Sequence, residues 1–130
     1  MKTKYYFIAT LLIAACIFTA FTMKKSAQVK HVVVFKFKAD ATPAQIKETT
    51  DFFKSLKDKI PGIVSFEHGS NISPEGLDQG FDHVYLVTFE NAAARDAYLP
   101  HPDHKKFGEL LSRLNCLDGK PFVVDFETAE

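Results

Sequence analysis

From Lys30 to Phe37 the chain alternates with a period of two. His31, Val33, Phe35 and Phe37 fall on one side, and Val32, Val34 and Lys36 on the other, which predicts a β-strand. The period then changes. Ile46, Thr50, Phe53, Leu56 and Ile60 recur every three or four residues and predict one apolar stripe of a helix. Thr42-Pro43-Ala44-Gln45 has the form of a helix start: Thr42 as N-cap, Pro43 in the first turn and Gln45 closing a capping box. Pro61-Gly62 ends it. Ile63–His68 predicts a second strand, Gly69–Gly80 a loop, and Asp82–Glu90 a third strand. Asn91 caps a helix through Ala92, Ala93, Ala94 and Ala97, and Pro100 interrupts it. His101-Pro102 restarts a helix carrying Phe107, Leu110 and Leu111 to about Leu114. After a turn at Asp118-Gly119, Lys120–Glu127 predicts the last strand.

The order βαββαβ predicts an α+β, ferredoxin-like fold: a four-stranded antiparallel sheet with helices on one face. The first and third strands are apolar on both faces. Val32 and Val34 back His31, Val33 and Phe35, and Val84 and Leu86 back His83, Tyr85 and Val87. The helices cover one face only, so the other would be a large bare apolar surface, which monomers rarely show. The expectation is a homodimer, sheet face against sheet face.

The apolar core must be rich in Phe, since the chain has 13 Phe and no Trp. Acidic and basic residues number 16 each, but unevenly: residues 1–27 contain Lys2, Lys4, Lys24 and Lys25 and no acid. The remaining residues hold 12 basic and 16 acidic side chains, so the domain is mildly acidic, which argues against a nucleic-acid partner. Tyr5 to Met23 is free of charge and flanked by lysines. Residues 1–27 therefore read as a secretory signal, a bacterial lipoprotein signal or a membrane anchor, and residues 28–130 as the domain. Ile13-Ala14-Ala15-Cys16 resembles a lipoprotein signal with Cys16 as the lipidated residue. The expected place is the bacterial cell envelope, exported or membrane-associated, with membrane contact through residues 1–27 alone. Cys116 is the only cysteine of the domain, so no disulfide holds it.

Several segments carry a resemblance in this order: His31–Lys38, Ile60-Pro61-Gly62, Gly80-Phe81-Asp82-His83, Val87–Glu90, Tyr98-Leu99-Pro100-His101-Pro102-Asp103-His104 and Val124-Asp125-Phe126. Together they resemble the stress-responsive A/B barrel (Dabb) domain over residues 29–127. The resemblance implies a dimeric α/β barrel. It also implies two functions: stress-induced proteins, and a polyketide cyclase branch that performs an aldol-type ring closure. In that branch a Tyr and the second His of the H-P-x-H element carry catalysis, and they match Tyr98 and His104. Its strand histidines match His31 and His83, which are expected to bind substrate.

In chemical terms, a neutral His104 can take a proton from a carbon beside a carbonyl, and Tyr98 can donate a hydrogen bond to the carbonyl oxygen. The competing reading is local: His101 caps a helix, His104 makes a local bond and Tyr98 packs with its hydroxyl at the surface. His101 and His104, three apart with Asp103 between, are the only close ligand pair, so neither a metal nor another cofactor is expected. Two functions stand side by side. One is an exported or membrane-associated homodimeric barrel with a small-molecule pocket and no turnover. The other is a lyase or cyclase acting on a small carbonyl-containing ligand. A cavity reached by both Tyr98 and His104 separates them.

Overall fold

The computed structural model describes residues 26–128. The leader readings for residues 1–25, Cys16 included, lie outside the described residues. Among those described, no helix is long and apolar enough to cross a membrane.

The elements are β1 (Val29–Phe35), α1 (Pro43–Lys59), β2 (Ile63–Ser70), β3 (His83–Phe89), α2 (Ala92–Tyr98), α3 (Pro102–Leu114) and β4 (Phe122–Glu127). All pairings are antiparallel and the sheet order is β2-β3-β1-β4. This is the ferredoxin-like split βαβ arrangement expected from the pattern.

The helix starts are those the local chemistry dictates. Thr42 Oγ1 accepts from the Gln45 amide and Gln45 Oε1 accepts from the Thr42 amide, a complete capping box ahead of Pro43. Asn91 Oδ1 accepts from the Ala94 amide at 2.9 Å, and His101 Nδ1 from the Asp103 amide at 3.2 Å. Gly62 has φ +87°, and a Cβ there would lie 2.6 Å from Ala94 Cβ. Only glycine lets the turn after α1 pass this close to α2.

The strands differ from the pattern by one or two residues at their ends, and at β1 and β2 pairing with distant segments accounts for it. β2 runs on through Gly69 and Ser70, because these pair with Val84 and His83. β1 stops at Phe35; Phe37 instead bridges Leu117, with Lys38 donating its amide to Cys116 O at 2.8 Å. β4 begins at Phe122 rather than Lys120.

Val29, Val33, Phe35, Tyr85, Val87 and Phe89 pack under the helices against Phe53, Leu56 and Phe107. Phe53 is the hub, with ring centroids 4.5 Å from Phe107, 5.1 Å from Phe66 and 5.3 Å from Tyr85. Cys116 is buried and free. The opposite face carries Val32, Val34, Val84, Leu86, Phe122, Val124 and Phe126, with Val124 43% and Phe126 52% exposed. The loop from residue 71 to 82 borders a separate hollow beside Val34, Val84 and Phe122.

Candidate functional site

The break at Pro100 makes the site possible. Residues six apart on a continuous helix stand about 120° apart around the axis and about 9 Å apart along it. Here Tyr98 is the last residue of α2 and His104 lies in the first turn of α3, with His101 donating its amide to Tyr98 O at 3.0 Å across the break. The two helices meet at an angle that brings the rings together, centroids 4.2 Å apart.

Both side chains line a cavity of about 390 Å³ between α3 and the β1–β4 half of the sheet. His31 reaches it from β1, and Val33, Phe107 and Val123 supply apolar wall. Three of the four expected site residues are therefore in one place. His83 is not. It lies near the far end of β3, its ring 4.8 Å from Phe37, and lines a different cleft.

Hydrogen bonds assign the protons. His104 Nδ1 is 2.9 Å from Leu99 O. A carbonyl can only accept, so Nδ1–H donates and the Nε2 lone pair of the neutral ring is left for another partner. Neighbouring Asp103 is engaged by Lys106 at 3.0 Å, which holds its carboxyl below the usual range. Tyr98 is 1% exposed, and its hydroxyl is buried with no hydrogen-bond partner in the protein. Burial, reinforced by the Asp125 carboxylate, pushes the phenol up from its ordinary value, so it stays a donor. A buried hydroxyl without a partner costs about 1–3 kcal/mol, and such a group in a native fold asks for an explanation.

His31 is 6% exposed and stands 5.8 Å from Tyr98, centroid to centroid. Its Nδ1 lies 2.6 Å from Asp125 Oδ1, and the other carboxylate oxygen accepts from Arg95 Nη1. Burial lowers the imidazole below its ordinary value, and Asp125 partly offsets this. Asp125 and Arg95 were not among the expected site residues. The available signal was an acid within the run Phe122–Phe126, otherwise Phe and Val, where a buried carboxylate needs a partner. Arg95, in a short alanine-rich helix, offered none.

The arrangement suits proton transfer at a carbon acid. It offers a base nitrogen, a fixed phenol donor and a second imidazole around one largely apolar cavity. Among the described residues no cluster of three His, Cys, Asp or Glu side chains could hold a metal ion.

The fold and this cavity define a ferredoxin-like α+β domain with a polar cluster between its last helix and its sheet. The chain belongs to the stress responsive A/B barrel domain (Dabb) family, which it matches over residues 29–128. It is 34% identical to stress-response A/B barrel domain-containing protein HS1 of Arabidopsis thaliana over 76% of this chain and 88% of that one. It is 33% identical to olivetolic acid cyclase of Cannabis sativa over 63% of this chain and 81% of the cyclase. The crystal structure of a dimeric ferredoxin-like protein from Jannaschia sp. CCS1 superposes with a TM-score of 0.66, at 30% identity, covering 78% of this chain and 99% of that one.

Proposed function

We propose that this protein is a homodimeric Dabb enzyme of the lyase or cyclase type, acting on a small carbonyl compound. The observation that carries the reading is the buried, unpartnered Tyr98 hydroxyl beside His104, whose Nδ1 is already bound to Leu99 O. His104 Nε2 takes a proton from the carbon next to a substrate carbonyl. The C–H electron pair passes to the carbonyl oxygen, where the Tyr98 hydroxyl donates to the growing negative charge. The enolate carbon attacks a second carbonyl of the same molecule, a C–C bond forms, and the His104 proton moves to the new alkoxide. His31 lines the same cavity and is assigned to substrate binding. A relative named as a cyclase supports this class of reaction.

The open sheet face is the assigned dimer surface, supported by its exposed Val and Phe side chains and by the dimeric Jannaschia neighbour. The charge-free run and flanking lysines of the leader support export or membrane association, as a secretory signal, a lipoprotein signal lipidated at Cys16 or a membrane anchor. N-terminal sequencing and lipid analysis of the protein purified from its own cell test that assignment. A non-lipidated protein retaining Met1 and found outside the membrane fraction would overturn it.

The catalytic reading is tested with acetophenone in D₂O near neutral pD, following deuteration of the methyl group by NMR. Catalysed exchange is expected, lost in His104→Ala and weakened in Tyr98→Phe. Binding of acetophenone without exchange would turn the assignment to a barrel that holds ligand without turnover. Equal exchange in His104→Ala would remove His104 as the base.

A further inference from the structure

The cleft that receives His83 has a chemistry of its own. It lies between α1 and the paired ends of β2 and β3, on the helix side of the sheet, with a volume of about 520 Å³. Ser70 lies opposite His83 and His68 opposite Tyr85, so alternation along the strands turns His68, Ser70 and His83 to one face. From α1 come Lys47, Asp51 and Lys54. Asp51 is the only acid lining the cleft, and Lys47 of the same helix pairs with it. Among the described residues Lys54 has no carboxylate partner. The cleft thus keeps one uncompensated ammonium in a domain that is acidic overall.

The two imidazoles are held differently. His68 stacks on the Tyr85 ring, centroids 6.0 Å apart. The Tyr85 hydroxyl is fixed to Thr50 Oγ1 at 2.9 Å, which makes a rigid support. His83 Nδ1 lies 3.1 Å from Asp82 Oδ1, and both carboxylate oxygens of Asp82 also accept from the Phe37 amide. Asp82 therefore accepts from Nδ1–H and leaves Nε2 of His83 without a partner among the described residues. Pro43 and Ile46 add apolar surface at the α1 end.

We propose that this cleft is a second binding site, separate from the Tyr98 cavity, for a small organic anion whose carboxylate or phosphate group is held by Lys54, His68, Ser70 and His83. Lys54 supplies the fixed charge. Ser70 adds a hydroxyl donor, and each imidazole adds a ring N–H where it carries the proton. Asp51 and Asp82 face the same groups; Lys47 and the Phe37 amide occupy them. Among the described residues no three His, Cys, Asp or Glu side chains are placed to hold a metal ion together.

The test is an NMR titration of the full chain with labelled histidines, using inorganic phosphate and hexanoate separately, each against chloride at matched ionic strength. The His68 and His83 ring resonances are expected to shift saturably, with His31 and His104 still. Affinity is expected to fall at least about fivefold in Lys54→Gln, at an exposed position of α1. Saturation by hexanoate alone assigns a carboxylate ligand, and by phosphate alone a phosphate ligand. Chloride-like, unsaturable shifts with both, or unchanged affinity in Lys54→Gln, would overturn the site.

Discussion

His31 and Asp125 face each other across β1 and β4, 94 residues apart in sequence, with Nδ1 and Oδ1 2.6 Å apart. The pair satisfies a histidine buried among Val29, Phe89 and Tyr98, and Arg95 takes the remaining carboxylate oxygen. It therefore ties the central strand, an edge strand and the short helix α2 into one unit.

Asp125→Asn keeps the shape of the side chain but removes the charge shared by His31 and Arg95. The expected loss is about 1–3 kcal/mol, since a buried imidazole and a half-buried guanidinium lose their charge-assisted bonds. Urea unfolding of wild type and variant reads this directly. A difference below about 0.5 kcal/mol would show that the pair is not coupled to folding.

The pH dependence follows from the lowered His31 value. In the native state the neutral ring is favoured, so between the folded value and the ordinary 6.5 the unfolded chain binds more protons. The contribution of His31 to stability is complete above 6.5 and is lost as pH falls through the folded value. Urea midpoints measured from about pH 8 down to about pH 5 should fall more steeply for wild type than for His31→Gln. Parallel curves would contradict the assignment.

Tyr98→Phe separates stability from chemistry. It deletes a buried hydroxyl that has no partner. Folding should be unchanged or improved by about 1 kcal/mol, while acetophenone deuteration falls by roughly 10–100-fold. Loss of both together would mean that the hydroxyl has a structural partner in solution.

Val124→Asp places a carboxylate midway along the edge strand of the open sheet face, opposite Val32. The side chain is 43% exposed in the single chain, so the fold tolerates it, whereas a face buried against a second copy does not. Light scattering after size-exclusion chromatography should give a dimer mass for wild type and a monomer mass for the variant. A monomer mass for wild type would remove the homodimer.

Phe53→Ala removes the ring that Phe35, Phe66, Tyr85 and Phe107 all touch. A cost of about 3–5 kcal/mol is expected, enough to unfold much of a small domain. The thermal midpoint measures it.

The legible part of this protein is the part governed by neighbours in sequence. Thr42–Gln45, Asn91 and His101–Pro102 set the helix starts because a cap is made within three residues of itself. Alternation in β1 and β3, with apolar residues on both faces, marks the strands, and the resemblance to the family pairs Tyr98 with His104. What the sequence left open depends on register and on the packing of distant segments. The extension of β2 through Ser70 follows from pairing with β3, against the weak strand preference of Gly69. Only the β1–β4 register could set Asp125 on His31, and only the seat of α2 on the sheet could bring Arg95 to them. The two strand histidines read alike in sequence, yet the tertiary fold sends His31 to the Tyr98 cavity and His83 to a cleft under α1. Local hydrogen bonds decide where an element begins; which face of the core a side chain serves is decided by what packs over it.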